Sequence, residues 1–400
     1  MVNSETQPLM FHVAVSQNRQ VEDAVSAIVE DIKHGLGGGT VDLAFLFCST
    51  HYVGQIKDIA QSVTENLGPR VLLGCMGEGI IGRNEEFEGS PVITVWAGSL
   101  PNVHLTAFHL TFSEKDNTTT INGWPDGLIF VKDRPTFLLL ADPFSTAIEE
   151  VFTHLEGNCP GSPAIGGVAS GGSDLGENCL VLNGDVVHEG VVGVAVSGPV
   201  SIRTIVSQGC QPIGERYMIT KSERNIIYEL GGVSTLERLQ ATLNNLGSAG
   251  AQRAALSLQV GVAFNEHQSR FERGDFLIRG LIGADQRTGG LAISDVINEG
   301  QTIQFHVRDA QAASEELNLM LAKDRSDFPD EVPKAALLFS CNGRGQQFFM
   351  TPHHDITAVQ KEATGMPVAG FFAAGEIGPV GGKNFIHGYT ASVALFAESK

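Results

Sequence analysis

A chain of 400 residues exceeds the size at which single hydrophobic cores usually stop growing, so two domains are the working expectation, and its 42% hydrophobic and 18% charged residues are those of a globular protein. Its 26 Lys+Arg against 45 Asp+Glu give a formal net charge of −19, a surface that repels phosphate backbones and anionic lipid heads and so argues against nucleic acid or membrane partners. The six cysteines, Cys48, Cys75, Cys159, Cys179, Cys210 and Cys341, form no Cys-x-x-Cys pair and no Cys/His cluster at zinc spacing, the pattern of a reduced compartment.

The first ten residues show no basic stretch followed by an apolar run, and no segment reaches the roughly 18 apolar residues of a spanning helix. The amphipathic pattern starting near Val21 is acidic, unlike a transit peptide. A cytoplasmic location is expected. Gly-rich turns follow apolar runs throughout, which predicts tight strand-to-helix connections.

The first predicted strand is Phe11-His12-Val13-Ala14-Val15, followed by a helix with Val21, Ala24, Val25, Ile28 and Ile32 on one face and a stop at Gly35 and Gly37 to Gly39. The buried-strand run Leu43-Ala44-Phe45-Leu46-Phe47 precedes a second helix carrying Val53, Ile56, Ala60, Val63 and Leu67. Strand Val71-Leu72-Leu73-Gly74-Cys75 ends in Gly77-Glu78-Gly79, and Val92-Ile93-Thr94-Val95-Trp96 closes the unit. A weaker copy runs from Phe137 through Asp142 and Pro143, a helix with Phe144, Ile148, Val151, Phe152 and Leu155, and Ala164 to Val168, ending at Gly171-Gly172. Between Ser201 and Gly290, strands and a helix are predicted without a clear Gly-Glu tip. The order then returns: strand Ile303-Gln304-Phe305-His306-Val307, a helix with Ala310, Ala313, Leu317, Met320 and Leu321, strand Ala336-Leu337-Leu338-Phe339-Ser340, strand Val368-Ala369-Gly370-Phe371-Phe372 ending in Gly375-Glu376-Ile377-Gly378, and a last strand from Thr390 to Phe396. The fold class expected is α/β: mixed sheets flanked by helices, in two halves with internally repeated β-α-β-α-β-β units. Residues 1–228 and 229–400 are the expected domains, divided near Gly231-Gly232, with residues 10–98 superposing on 302–397.

Three ordered blocks carry a family resemblance. They are Gly74-Cys75-Met76-Gly77-Glu78-Gly79 within 71–82, with residues 42–49 ahead of it; Ser207-Gln208-Gly209-Cys210-Gln211-Pro212-Ile213-Gly214; and Phe339-Ser340-Cys341-Asn342-Gly343-Arg344-Gly345, continued by residues 367–379 and Phe385-Ile386-His387-Gly388-Tyr389-Thr390. The chain resembles the FIST family, the F-box and intracellular signal transduction proteins, over nearly its whole length. The resemblance implies a sensory domain that binds a small molecule such as an amino acid and no settled catalytic activity. Some relatives carry an F-box ahead of this region; here the first strand begins near residue 10, so the standalone form is expected, with its signal passed to a protein partner.

Among candidate ligand-binding residues, Ser340 to Gly345 would follow a central strand, where α/β sheets place ligand crevices. Gly343 and Gly345 let backbone N–H groups converge, Asn342 adds an amide, and Arg344 offers a carboxylate two parallel bonds; the alternative is a tight turn with Arg344 in a structural ion pair. Glu376 would suit a ligand ammonium, or else pair with Arg344 or accept backbone N–H groups. Glu78 is read as its match in the first unit. His387 and Tyr389 would add a donor and an aromatic wall, or His387 is simply structural. Cys341, with His387 as base, would make a thiol pair, against the commoner fate of a small buried residue. His353-His354-Asp355 looks metal-like, but adjacent positions do not share a helix face, and no metal is expected. The glycines fit no dinucleotide or phosphate-loop fingerprint, so no nucleotide cofactor is expected. The leading reading is a binding module for a small polar metabolite; its rivals are a thiol or acid–base enzyme using Cys341, Glu376 and His387, and a protein-interaction scaffold.

Overall fold

The computed structural model describes residues 8–116, 118–125, 134–266, 271 and 274–399. Residues 1–7, on which most of the reading of the leader rests, lie outside the described residues. The chain forms two compact units, the first made of residues 1–206, 318–386 and 390–400, the second of 207–317 and 387–389. Residues 225–235, where a division was expected, fall inside the second unit.

The first unit is α/β and holds three mixed sheets with one strand order. In the first sheet the order is Met10–Ser16, Ile93–Ser99, Leu43–Ser49, Val71–Gly77, then the short strands Leu180–Leu182 and Asp185–Val187. In the second it is Thr118–Asn122, His104–Lys115, Val191–Ser197, Thr136–Ala141, Ala164–Val168, then Gly375–Val380 and Lys383–His387. In the third it is Val200–Ser207, Ala391–Glu398, Ala335–Cys341, Val368–Ala373, then Gly79–Gly82 and Glu85–Glu88. Each sheet has one parallel pair at its centre and is completed by a hairpin borrowed from another part of the chain. The 79–88 hairpin, which follows the first sheet's central pair, is thus built into the third sheet.

The registers agree as well as the orders. Leu46, Leu139 and Leu338 face Gly74, Gly166 and Gly370 across the three parallel pairs. A Cβ at any of these glycines would come within 2.3, 1.8 and 1.7 Å of the facing leucine's carbonyl oxygen. Side-chain alternation explains how each strand serves two cores. Leu43, Phe45 and Phe47 join Leu138, Leu140, Leu337, Phe339 and Phe371 in an inner core that draws on all three sheets, with Phe47 and Phe371 ring centroids 5.4 Å apart. Ala44, Leu46 and Cys48 face outward onto helices Val21–Gly35 and Ile56–Leu67, whose apolar stripes supply Ala24, Ile28, Ile59 and Val63. Helix Ile148–Asn158 covers the second sheet through Ile148, Val151, Phe152 and Leu155. Phe144, expected on that helix, lies ahead of it and is exposed. Burying side chains of this size contributes roughly 1.5–3 kcal/mol each.

The second unit is antiparallel. Strands Cys210–Glu223, Thr302–Arg308, Leu258–Ala263, Phe276–Asp285, Gly290–Ile293 and Ile226–Leu230 pair in that order, and Ile226–Leu230 pairs back with Cys210–Glu223, closing a small barrel. Register shifts between Ile213 and Arg216 and between Leu281 and Gly283 bend two strands, as closure requires. Ile213, Ile227, Val260, Leu291, Ile303 and Phe305 fill its core, with helices Thr235–Asn245 and Gly247–Ser257 in the same unit. This corrects one expectation. Thr302–Arg308 belongs to the barrel, and the strand in the place that Met10–Ser16 takes in the first sheet is Val200–Ser207, so 302–397 does not superpose on 10–98 at its first strand.

Candidate functional site

The candidate site grows from the carboxyl ends of the parallel strands Ala335–Cys341 and Val368–Ala373, where the chain must leave the sheet and its last backbone groups need new partners. Cys341 donates its N–H to Thr390 O at 2.9 Å and Asn342 donates to Ala373 O at 2.8 Å. The chain then doubles back, with Arg344 N–H bonded to Cys341 O at 2.7 Å. Gly345 adopts φ +103, a conformation that disfavours side chains, and a Cβ there would sit 2.7 Å from the Glu88 carboxylate. Glu88 uses that closeness to accept the Gln346 N–H at 2.8 Å.

Arg344 is 1% exposed. Its Nε and Nη2 reach the two oxygens of Asp355 at 2.7 and 2.9 Å, the structural ion pair that was the alternative to ligand contact. Phe349 lies under the guanidinium at 5.1 Å, and the His354 ring stacks on Phe349 at 3.5 Å. Ser340 Oγ and His354 Nδ1 also bond Asp355, at 2.7 and 2.9 Å. Burial alone would push the Asp355 carboxyl up, but the Arg344 charge and these bonds hold it well below the usual carboxylate range. The His353-His354-Asp355 run therefore works as loop scaffolding: His353 Nδ1 accepts the Glu86 N–H at 2.9 Å, and the Glu86 carboxylate accepts the Ile356 N–H at 2.9 Å.

Over this buried support lies an exposed polar rim within the first unit. Asn342 Nδ2 donates to Glu78 Oε2 at 3.3 Å. Both residues are exposed. Glu78 N–H is held by Ser170 Oγ at 2.9 Å, and Ser170 Oγ in turn donates to Phe372 O. Segments following the central pairs of all three sheets thus fix the rim.

Glu376 is fully buried and accepts the Thr390 N–H at 3.0 Å, one of the non-ligand roles weighed for it. Strand register also corrects its expected match. Glu376 faces Gly167 as Ile80 faces Phe371 and Leu180 faces Cys75, so it corresponds to Ile80 and Leu180, and Glu78 corresponds to Ala374. His387 and Tyr389 belong to the second unit, where His387 is buried and the Tyr389 ring lies 4.4 Å from the Arg308 guanidinium carbon. Cys341 is buried, with Sγ 3.8 Å from Asn342 Oδ1. Burial pushes the Cys48, Cys75, Cys159 and Cys179 thiols up, away from thiolate character. Among the described residues, no group of three His, Cys, Asp or Glu is placed to hold a metal, and no helix is long and apolar enough to cross a membrane.

Sequence reasoning missed Asp355 as the partner of Arg344, and missed Glu86 and Glu88 altogether. Their only local signal is the acidic run Glu85-Glu86-Phe87-Glu88 after a Gly-rich turn, which reads as solvent-exposed until the hairpin is seen to join the third sheet.

The family model for the FIST N domain matches residues 42–233, and that for the FIST C domain matches residues 235–379. An uncharacterized protein of Mycobacterium tuberculosis is 39% identical over 389 residues, covering 96% of this chain and 99% of the relative. An uncharacterized protein of Mycobacterium bovis is 37% identical over 379 residues, covering 94% of this chain and 96% of the relative.

Proposed function

The chain belongs to the FIST family, whose domains are associated with sensory and signal-transduction roles, and on that premise we propose that it senses a small polar ligand at the Glu78–Asn342 rim. The observation that carries this reading is the contrast in exposure: two polar side chains open to solvent, Glu78 after the parallel pair of the first sheet and Asn342 after that of the third, beside an ion pair that is almost wholly buried. Glu78 offers acceptor positions to an ammonium or another donor, and Asn342 offers both a donor and an acceptor. Gly343, exposed beside Asn342, leaves room for the ligand, and the buried Arg344 holds the loop in place. A polar metabolite with an amino group, of the amino-acid class, suits this set. Binding changes the rim, and a protein partner in the cytoplasm reads the change; only a ligand that favours one arrangement over another has this effect.

Calorimetric titration of a ligand recovered from natively purified protein tests the reading. Glu78→Gln and Asn342→Ala are each expected to weaken binding by about tenfold or more, since a hydrogen bond to a charged ligand group contributes about 1.5–3 kcal/mol, with melting temperatures close to the parent's. Folded variants that bind as tightly as the parent would eliminate the rim.

A further inference from the structure

We propose that Glu86 is a proton-linked latch: loss of its proton loosens the hold of the 79–88 hairpin on the loop and helix that carry Arg344 and Asp355. The hairpin leaves the rim at Glu78 and runs beneath the 345–360 segment, bonded to it at four places. Glu88 accepts the Gln346 N–H at 2.8 Å, Glu86 accepts the Ile356 N–H at 2.9 Å, Glu86 N–H is accepted by His353 at 2.9 Å, and the Gln360 amide donates to Arg83 O. Glu86 is the buried member of this set, 7% exposed.

The titratable groups about Glu86 are the Asp355 carboxylate at the start of helix His354–Gln360, the His353 imidazole that accepts its N–H, and Glu88 two residues along the hairpin, while the Arg344 guanidinium and the His354 imidazole bond Asp355. Asp355 is already matched by Arg344 through two short bonds. An ionised Glu86 is therefore a second buried anion beside one cation. Burial, then Asp355, push Glu86 up from its usual 4.5 to about 7, against the Ile356 and Asp355 N–H groups that pull it down.

A carboxyl raised in this way stabilises the docked hairpin fully below its free value, and the stabilisation is lost as pH rises toward and through about 7. The hairpin thus holds the rim's support most tightly with Glu86 protonated. The consequence for ligand affinity rests on the rim reading; the latch itself is measured without ligand.

Hydrogen exchange at the Ile356 and Gln346 amides of the full chain, in the parent and in Glu86→Gln, reads the latch directly. Taking the parent-to-variant ratio at each pH cancels the intrinsic rise of exchange with pH. With a free value of 4.5 and a docked value of about 7, that ratio should climb about tenfold between pH 6 and pH 8. A flat ratio overturns the proposal. Should Glu86→Gln not fold, carboxyl-carbon NMR of the parent reads the same group: a Glu86 midpoint near 7 supports the latch and one near 4.5 overturns it. A rim that binds no ligand would sink the sensory reading and leave the latch standing, whereas a flat ratio would sink the latch alone.

Discussion

The ends of the first and third sheets share a backbone and differ in chemistry. Ser49 N–H bonds Val92 O at 3.0 Å and Cys341 N–H bonds Thr390 O at 2.9 Å, so these positions correspond. The return bond is made differently. Val92 N–H is accepted by Ser49 Oγ at 3.0 Å, a short hydroxyl on the residue it already pairs with, whereas Cys341 fills the position of Ser49 and Thr390 N–H goes to the Glu376 carboxylate at 3.0 Å. In the second sheet the matching Gly190 N–H goes to Ser145 Oγ at 2.8 Å. One backbone requirement is met by three side chains. A carboxylate that looks like a ligand group in the sequence therefore has a structural duty that a serine performs elsewhere.

This comparison is most strongly tested at the third sheet's support. Asp355→Ala should destabilise the protein by about 3–5 kcal/mol, because Arg344 would be left buried and unpaired, as read by denaturant unfolding. Gly370→Ala and Gly74→Ala come next. Each places a Cβ against the neighbouring strand's carbonyl, and losses of about 3 kcal/mol or more in both would show that the shared register is equally strict in the two sheets. A tolerated alanine in one sheet alone would break the correspondence. Glu376→Ala and Ser49→Ala should each cost about 1–3 kcal/mol by orphaning a buried N–H, with Glu376→Gln recovering part of the loss because an acceptor remains. The smallest effect belongs to Asn342→Ala, within about 0.5 kcal/mol in stability, since that side chain is exposed.

Local periodicity made most of the first unit's elements legible. The run at 43–47 became strand Leu43–Ser49, and the apolar stripe from Val21 became helix Val21–Gly35, because alternation and 3.6-residue spacing are properties of a single segment. Pairing is not such a property. Thr302–Arg308 alternates as well as Met10–Ser16 does, and only long-range partners assign one to a barrel and the other to the first sheet. The match of Glu376 to Glu78 failed for a related reason: both follow a glycine, but the strand register pairs Glu376 with the position of Ile80. At the site, the glycines and the strand ends were legible, while the Arg344–Asp355 pair depends on how the intervening loop and short helix fold back, and the hairpin carboxylates Glu86 and Glu88 come from a segment far away in sequence.

Native mass spectrometry of the intact chain and of Glu78→Gln, purified side by side without denaturation, tests the central claim most directly. A small polar adduct held at one per chain by the parent and lost from the variant, with both folded, is the predicted result. An adduct retained equally by both would contradict the rim as the sensing site.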